Sequence, residues 1–546
     1  MRANLQALSN RLNGTAIVAL LAASAPGTAL AQSADRIDAI EQHIRQLEGE
    51  LQHLKGELNV TRQQLRQSQR ATAQARATAQ QATRTASETE ERVAAAPQPA
   101  LAPAPLTPAP QPPAPGPKVV QTAGNRFGLE SADGRNSIYL TGRLHLDTGG
   151  YLDYHADSKY ASVTDLNSGF NARRARLGVT GKFAGDWNYT LIYDFGGASD
   201  GLPPTTGAPV SGIESAFITY NGINKGAFPI AFDLGYMDTP FTLEEATSSN
   251  DILFMERASI QAVASNIFAN DFRSAAGVRS NDDRYWAGVY LTGPASGASH
   301  TTGEQYGAFG RATYQVLQTP EYSLHLGGDV GALLKPPGAP RTITLSDRPE
   351  LRIDPTAILS TGPLGTATNP VNGAQVYGVE AAAGWRNLFM QGEYYRIDLD
   401  RQGLSSVGFD GGYVEGSWTV SGEQRKYNPA TGAYLGIVPD HPFEPWADNY
   451  GTGAWELVAR YSTVDLNHGA PSAVGAVGGG QQTVYTVGMN WYPNTNMRLM
   501  VDFLHGDIKK RFISAASNDT GIAGTPVGAS VGGNFDALAM RAQFAF

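Results

Sequence analysis

The sequence predicts an all-β protein, a sixteen-stranded antiparallel transmembrane β-barrel preceded by an N-terminal α-helical coiled coil. Three observations predict the barrel. From about Asn125 to Phe546, short runs of alternating apolar and polar residues recur, each bounded by Gly, Asp, Asn or Pro. The connections between them differ sharply in length, tight at "PNTN" (493–496) and long and polar around 335–374 and 421–453. Both long segments are expected to be outer loops, opposite short turns. Finally, the chain closes on "ALAMRAQFAF", which puts Leu538, Met540, Phe544 and Phe546 on one strand face.

Residues 1–31 read as an export signal. Arg2 and Arg11 give a positive start, "GTAIVALLAASA" is the apolar core, and Ala29-Leu30-Ala31 is a cleavage site before Gln32. No stretch of 18 apolar residues follows, so no helical membrane span is expected. The chain has no Cys, which excludes a disulfide scaffold and thiolate zinc sites.

Residues 32–93 carry a heptad repeat. Its a positions include Ile37, Ile44, Leu51, Leu58 and Leu65, and its d positions begin Ile40, Leu47 and Leu54. This argues for a periplasmic coiled coil, with Ile at both a and d leaning toward three strands. A helix of about fifty residues would reach roughly 75 Å at about 1.5 Å per residue. Residues 94–123, including "APQPALAPAPLTPAPQPPAPGPK", are a Pro/Ala-rich linker that behaves as a semi-rigid spacer. The barrel then occupies 124–546.

Within it, about sixteen strand candidates average some 26 residues each with their loops, among them "SIYLTGRLHLD", "FPIAFDLGYM", "YSLHLGGDVGALL" and "TVYTVGMNWYP". The stretch "GFNARRARLGVTGKF" shows what they share. Period two puts Ala175, Leu177, Val179 and Phe183 on one face and Arg174, Arg176 and Lys182 on the other. A soluble sandwich has no use for that arrangement. In a membrane barrel the oily face meets lipid and the charged face lines a water-filled lumen, so the three cations are expected inside. Between Met237 and Phe272 the alternation breaks, leaving Glu244, Glu245, Asp251, Glu256 and Arg257 on irregular chain. Irregular backbone at membrane depth is tolerated where it lines a cavity, so this loop is expected to fold inward.

Several segments together resemble the phosphate-selective porins O and P of Gram-negative outer membranes: "LTGRLHLD", "FNARRARLGVTGKFAGDWNYTLIYDF", "DTPFTLEEATSSNDILFMER", "GAWELVARYSTVDLN" and "YTVGMNWYPNTNMRLMVDF". The resemblance covers 125–546 and none of the coiled coil. It implies a sixteen-stranded barrel, a homotrimer and a third loop folded into the lumen. It also implies that Arg143 in "TGRL", Arg173 and Arg174 in "FNARRA", and Arg257 in "MER" stand where family arginines strip water from an anion. Glu214 in "IESAF" stands where an acidic residue faces the same site. Lysines of the family pattern are replaced by Glu245, Asn250 and Asn188. The pore or anion-binding candidates are therefore Arg143, Arg173, Arg174, Arg176, Glu214, Glu245 and Arg257.

Net charge does not decide the selectivity. The first 123 residues hold 12 Lys and Arg against 9 Asp and Glu, leaving 29 against 41 for the rest. Many acids fall in expected outer loops such as "HADSKY" and "VPDHPFEPWADN", where solvent screens them. The nine His show no metal spacing, and His145 and His325 are expected toward the lumen. No nucleophile elbow, P-loop, dinucleotide fingerprint or basic–aromatic nucleic-acid pattern occurs, so no enzyme, cofactor or nucleic-acid partner is expected. The expected role is a passive channel for small solutes, anions such as phosphate first among them, in outer-membrane lipid. The alternatives are a tether joining the outer membrane to peptidoglycan through the coiled coil, and a porin of sugar or general selectivity.

Overall fold

The structure, a computed structural model, describes residues 116–546 apart from 123, 164–165, 197–211, 225–227, 296–302, 339–340, 447–450 and 515–520. The export signal, the coiled coil and most of the Pro-rich linker lie outside the described residues.

The described chain opens with a hairpin, β1 (Lys118–Gln121) and β2 (Phe127–Glu130). The first half of the barrel is β3 (Ser137–Ala156), β4 (Gly169–Phe183), β5 (Trp187–Asp194), β6 (Gly212–Ile223), β7 (Ile230–Thr239), β8 (Asn270–Asn281), β9 (Tyr285–Ala295) and β10 (Tyr306–Gln318). β11 (Tyr322–Lys335) is followed by a small pair, β12 (Thr344–Asp347) and β13 (Leu359–Pro363). The wall resumes with β14 (Val371–Trp385), β15 (Leu388–Arg401) and β16 (Val407–Thr419). A second small pair, β17 (Tyr427–Asn428) and β18 (Ala433–Tyr434), precedes β19 (Ala454–His468), β20 (Val477–Asn494), β21 (Met497–Lys509) and β22 (Gly533–Ala545).

Sixteen of these strands form the wall, each antiparallel to its neighbours. The last pairs with the first, from Gly533 opposite Ala156 to Ala545 opposite Arg143, and so closes the sheet and removes its edges. The hairpin extends the wall at one end, where β2 pairs with the start of β3.

The two faces are those the alternation requires. Leu177, Leu191, Leu234, Val289, Leu291, Val379 and Val487 are exposed on the outside, while Arg174, Arg311, Glu380, Arg460, Asp502 and Arg541 are buried within. Apolar side chains outward and charge inward is the pattern of a wall solvated by lipid.

Three segments fill the lumen. The loop between β7 and β8 carries two short helices, α1 (Leu243–Ala246) and α2 (Ser259–Asn266), and nearly all of it is buried. Thr242 caps α1 by accepting from the Glu245 amide at 2.9 Å. The apolar side of the loop, with Phe241, Ile260, Val263 and Phe268, packs on Phe309, Val376 and Tyr395 of the wall. Wall glycines admit it: a Cβ on Gly331 would lie 2.1 Å from the Phe268 ring. The second filling segment is 341–370, which enters from the end opposite the short turns and buries Leu345, Glu350, Leu351 and Ile358.

The third corrects the sequence reading. Residues 420–453 join β16 to β19 at the end that carries the short turns, because Trp418 pairs with Leu388 beside the 386–387 turn. The segment is therefore no outer loop. Its residues 425–437 turn back into the barrel, where Arg311 donates to the carbonyls of Thr431 (3.0 Å) and Gly432 (2.7 Å) and Tyr434 packs on Phe389. Length and polarity made it look exposed, and they cannot distinguish a loop in water from one in a wet lumen.

Candidate functional site: arginine and carboxylate pairs in the lumen

Strand β4 supplies the basic centre through an irregularity. Opposite β3, His145 pairs with Arg174 and Leu146 with Ala172, so Arg173 is the extra residue of a bulge. Strict alternation would send consecutive arginines to opposite faces. The bulge turns both inward, and Arg173 and Arg174 are 2% and 1% exposed. Strand β6 does the same at Glu214, between the pairs Tyr193–Ile213 and Ile192–Ser215.

Most of the inward guanidinium groups are held by carboxylates or carbonyls. Arg173 donates to both oxygens of Glu256 at 2.7 and 3.0 Å. Arg176 bridges Asp194 (2.8 Å) and Glu214 (2.6 Å). Arg257 reaches Glu245 at 3.3 Å and donates to the carbonyls of Glu244 and Thr247, while Gln261 donates to Glu245. Arg541 grips Asp147 at 2.6 and 2.7 Å and Glu256 at 2.9 Å. Arg460 donates to Glu350 of the 341–370 segment at 2.6 Å and to the Glu256 carbonyl at 2.9 Å. Arg425 of the 420–453 segment holds Glu456 at 2.9 Å and the Asp251 carbonyl at 2.7 Å. A buried ion pair is expensive to break from one side, so these pairs weld the three lumenal segments to the wall.

Among the described residues, two adjoining chambers lie between the β7–β8 loop, residues 428–438 and the wall. The first, about 330 Å³, lies against β6–β9 and is lined by five carboxylates (Glu214, Asp233, Asp238, Glu245, Asp251) and two guanidinium groups (Arg143, Arg279). The second, about 680 Å³, lies at the short-turn end beside Asn496 and Phe546 and is lined by Arg126, Arg143 and Arg176 against Glu214 and Asp251. The chambers share Arg143, Glu214, Asp251 and Leu435. At that junction Arg143 donates to the hydroxyls of Ser248 (3.1 Å) and Ser249.

The seven candidate residues divide accordingly. Arg143, Arg176, Glu214 and Glu245 line a chamber. Arg173, Arg174 and Arg257 are packed in the wall–loop joint and are not among the lining residues of either. Lys182 keeps the inward register but stands beside the 184–186 turn, exposed to solvent, six residues from Arg176 or roughly 20 Å along the strand. It is a rim residue. His145 and His325 do point inward, to Asn250 (3.0 Å) and Glu380 (2.8 Å).

Sequence reasoning missed Asp233 and Arg279, which pair at 2.9 Å on facing strands. Asp233 was open to discovery, since it alternates with the outward Phe232 and Leu234. It also missed Arg126, which the hairpin before the barrel brings to the second chamber.

A closed sixteen-stranded barrel with a lipid-compatible exterior, a charged interior and a loop folded across its lumen is an outer-membrane porin. The chain belongs to the family of phosphate-selective porins O and P, whose model matches residues 138–546. It is 25% identical over 414 residues to porin O of Pseudomonas aeruginosa, covering 72% of this chain and 87% of that protein. Among solved structures it is similar to the anion-selective porin from Comamonas acidovorans, with TM-score 0.44, 13% identity and coverage of 75% and 100% of the two chains. It is also similar to the outer membrane channel DcaP of Acinetobacter baumannii, with TM-score 0.42, 11% identity and coverage of 76% and 99%.

Proposed function

We propose that this porin passes small charged solutes by passive diffusion, anions among them, through a constriction of mixed charge centred on Arg143. The observation that carries this reading is the lining of the two chambers. Five carboxylates line the first against two guanidinium groups, with Glu214 and Glu245 also paired to Arg176 and Arg257 just outside it, whereas three guanidinium groups face two carboxylates in the second. An ion of either sign meets one favourable and one unfavourable stretch, which argues for weak selectivity. Fields in a narrow low-dielectric passage depend on such local charges and little on the net charge of the chain.

Phosphate is the solute that the family name suggests, and Arg126, Arg143 and Arg176 in the second chamber support an anion site there. The acids of the first chamber oppose strong polyanion binding, Glu245 in part only because Arg257 is paired with it. The active unit in this reading is a homotrimer in outer-membrane lipid. Residues 32–93 form a periplasmic coiled coil able to touch peptidoglycan, after a signal at 1–31 and before a linker at 94–123 and the barrel at 124–546.

The experiment is chloride current through single channels titrated with phosphate. The reading expects conduction with shallow phosphate inhibition. A protein that inserts and folds without conducting would leave the tether as the better account.

A further inference from the structure

We propose that Leu435 is a specificity-determining residue of the channel, an apolar stop at the junction of the two chambers. It makes passage depend on how readily a solute gives up water. The proposal deepens the mixed-charge reading and rests on both chambers lying on the conducting route.

The chambers share Arg143, Glu214, Asp251 and Leu435, and Leu435 is the one apolar side chain of the four. It is 40% exposed, although it belongs to a segment inside the barrel. Its neighbours hold it in that position. Tyr434, the last residue of β18, is buried against Phe389 and donates to the Ser323 hydroxyl at 3.1 Å. Successive side chains alternate along a strand, so a tyrosine turned to the wall leaves the next residue turned to the chamber. On the other side, Gly436 lies so close to the inward loop that a Cβ would fall 2.7 Å from Asp251 Oδ1. The backbone of Leu435 is braced as well. Its amide donates to the Lys426 carbonyl at 2.8 Å, and its carbonyl accepts from Arg425 at 3.3 Å. Arg425 is fixed in turn by both oxygens of Glu456.

The junction therefore has three charged sides and one that offers no hydrogen bond. An anion can exchange water for the Arg143 guanidinium, and a cation for the Asp251 carboxylate. Neither recovers anything on the Leu435 side. Apolar constrictions oppose ions through this loss of hydration. The loss grows steeply with charge, so a sulfate or phosphate dianion suffers more than chloride. A lumen of mixed charge discriminates little by sign, and Leu435 lets it discriminate by hydration.

The test uses the full-length protein in planar bilayers, with KCl on one side and K2SO4 on the other. The reversal potential gives the sulfate-to-chloride permeability ratio of the parent, Leu435→Asn and Leu435→Ala. Asn keeps the shape of Leu and adds polar atoms, whereas Ala widens the junction and adds none. The ratio should rise by about 3- to 10-fold in Leu435→Asn, within the range for desolvating one polar contact. Leu435→Ala should raise KCl conductance and change the ratio by less. Heat-modified mobility on gels checks folding, and Leu435→Thr is the second polar variant if Leu435→Asn does not fold. An unchanged ratio in a folded polar variant, or a ratio raised as much by Ala as by Asn, overturns the proposal. Arg143→Ala in a KCl gradient separates this idea from the reading beneath it. If that variant shifts the reversal potential while the polar Leu435 variants leave the ratio unchanged, the mixed-charge constriction stands and the role of Leu435 falls. If neither Arg143→Ala nor any Leu435 variant changes a current, the chambers are not on the route and both fall.

Discussion

Arg173 on β4 and Glu256 in the inward loop form a two-pronged ion pair, 2.7 Å at Nε and 3.0 Å at Nη2, with both side chains almost fully buried. A bulge turns this arginine inward, and Arg541 holds the same carboxylate from β22 at 2.9 Å. The pair acts as a rivet between loop and wall, since neither partner lines the chambers.

Arg173→Ala therefore acts through the loop. Leaving Glu256 with one cation fewer in a buried site costs about 3 kcal/mol. The barrel should survive, because its sixteen strands remain paired, but the loop should loosen. Single-channel records are expected to show new open-state noise and unequal conductance levels. Quiet channels indistinguishable from the parent would show that the remaining contacts suffice.

The bulges mark the limit of what the sequence shows. Alternation in "GFNARRARLGVTGKF" reveals the outward Leu177 and the inward Arg174 and Arg176, and the broken pattern from Met237 reveals the inward loop. Arg173 and Glu214 face inward because one residue is inserted in the pairing, which depends on the partner strand and leaves no mark in a single run. The pairings are equally hidden. A lone Arg in a strand reads as pore lining, whereas Arg311 and Arg460 are held by Glu380 and Glu350 from distant parts of the chain. The segment 420–453 failed for a different reason, as its polarity suits a lumen as well as bulk water.

That segment carries a prediction of its own. Replacing 427–436 with a short Gly/Ser link removes β17, β18 and Tyr434 from the lumen. Conductance should rise, because Asn428, Ala430, Thr431, Tyr434 and Leu435 line the first chamber. An unchanged conductance would mean that solutes pass elsewhere.

Glu245 predicts a change of sign. At about 6 Å and an effective dielectric near 20, one opposite charge offsets roughly 3 kcal/mol of an anion's attraction, less where water screens it. Glu245→Lys reverses that charge in the first chamber and leaves Arg257 facing a cation. The variant should inhibit chloride current more steeply with phosphate, read as a lower half-inhibiting concentration. The parent's shallow response persisting in a folded variant would remove Glu245 from the route.

Trimerisation is expected to reside in the barrel wall. Deleting residues 33–117 should leave a trimer by light scattering in detergent. Monomers after that deletion would assign assembly to the heptad repeat.

The central claim is a conducting lumen whose selectivity is weak because carboxylates and guanidinium groups share it. The most direct measurement is the single-channel reversal potential of the full-length protein in a KCl gradient, compared with Arg143→Ala. The account predicts a parent potential close to zero, within a few-fold of equal permeability by the one-charge estimate. The variant should shift in the cation-selective direction. A parent potential near the chloride limit, or no shift in Arg143→Ala, would contradict it.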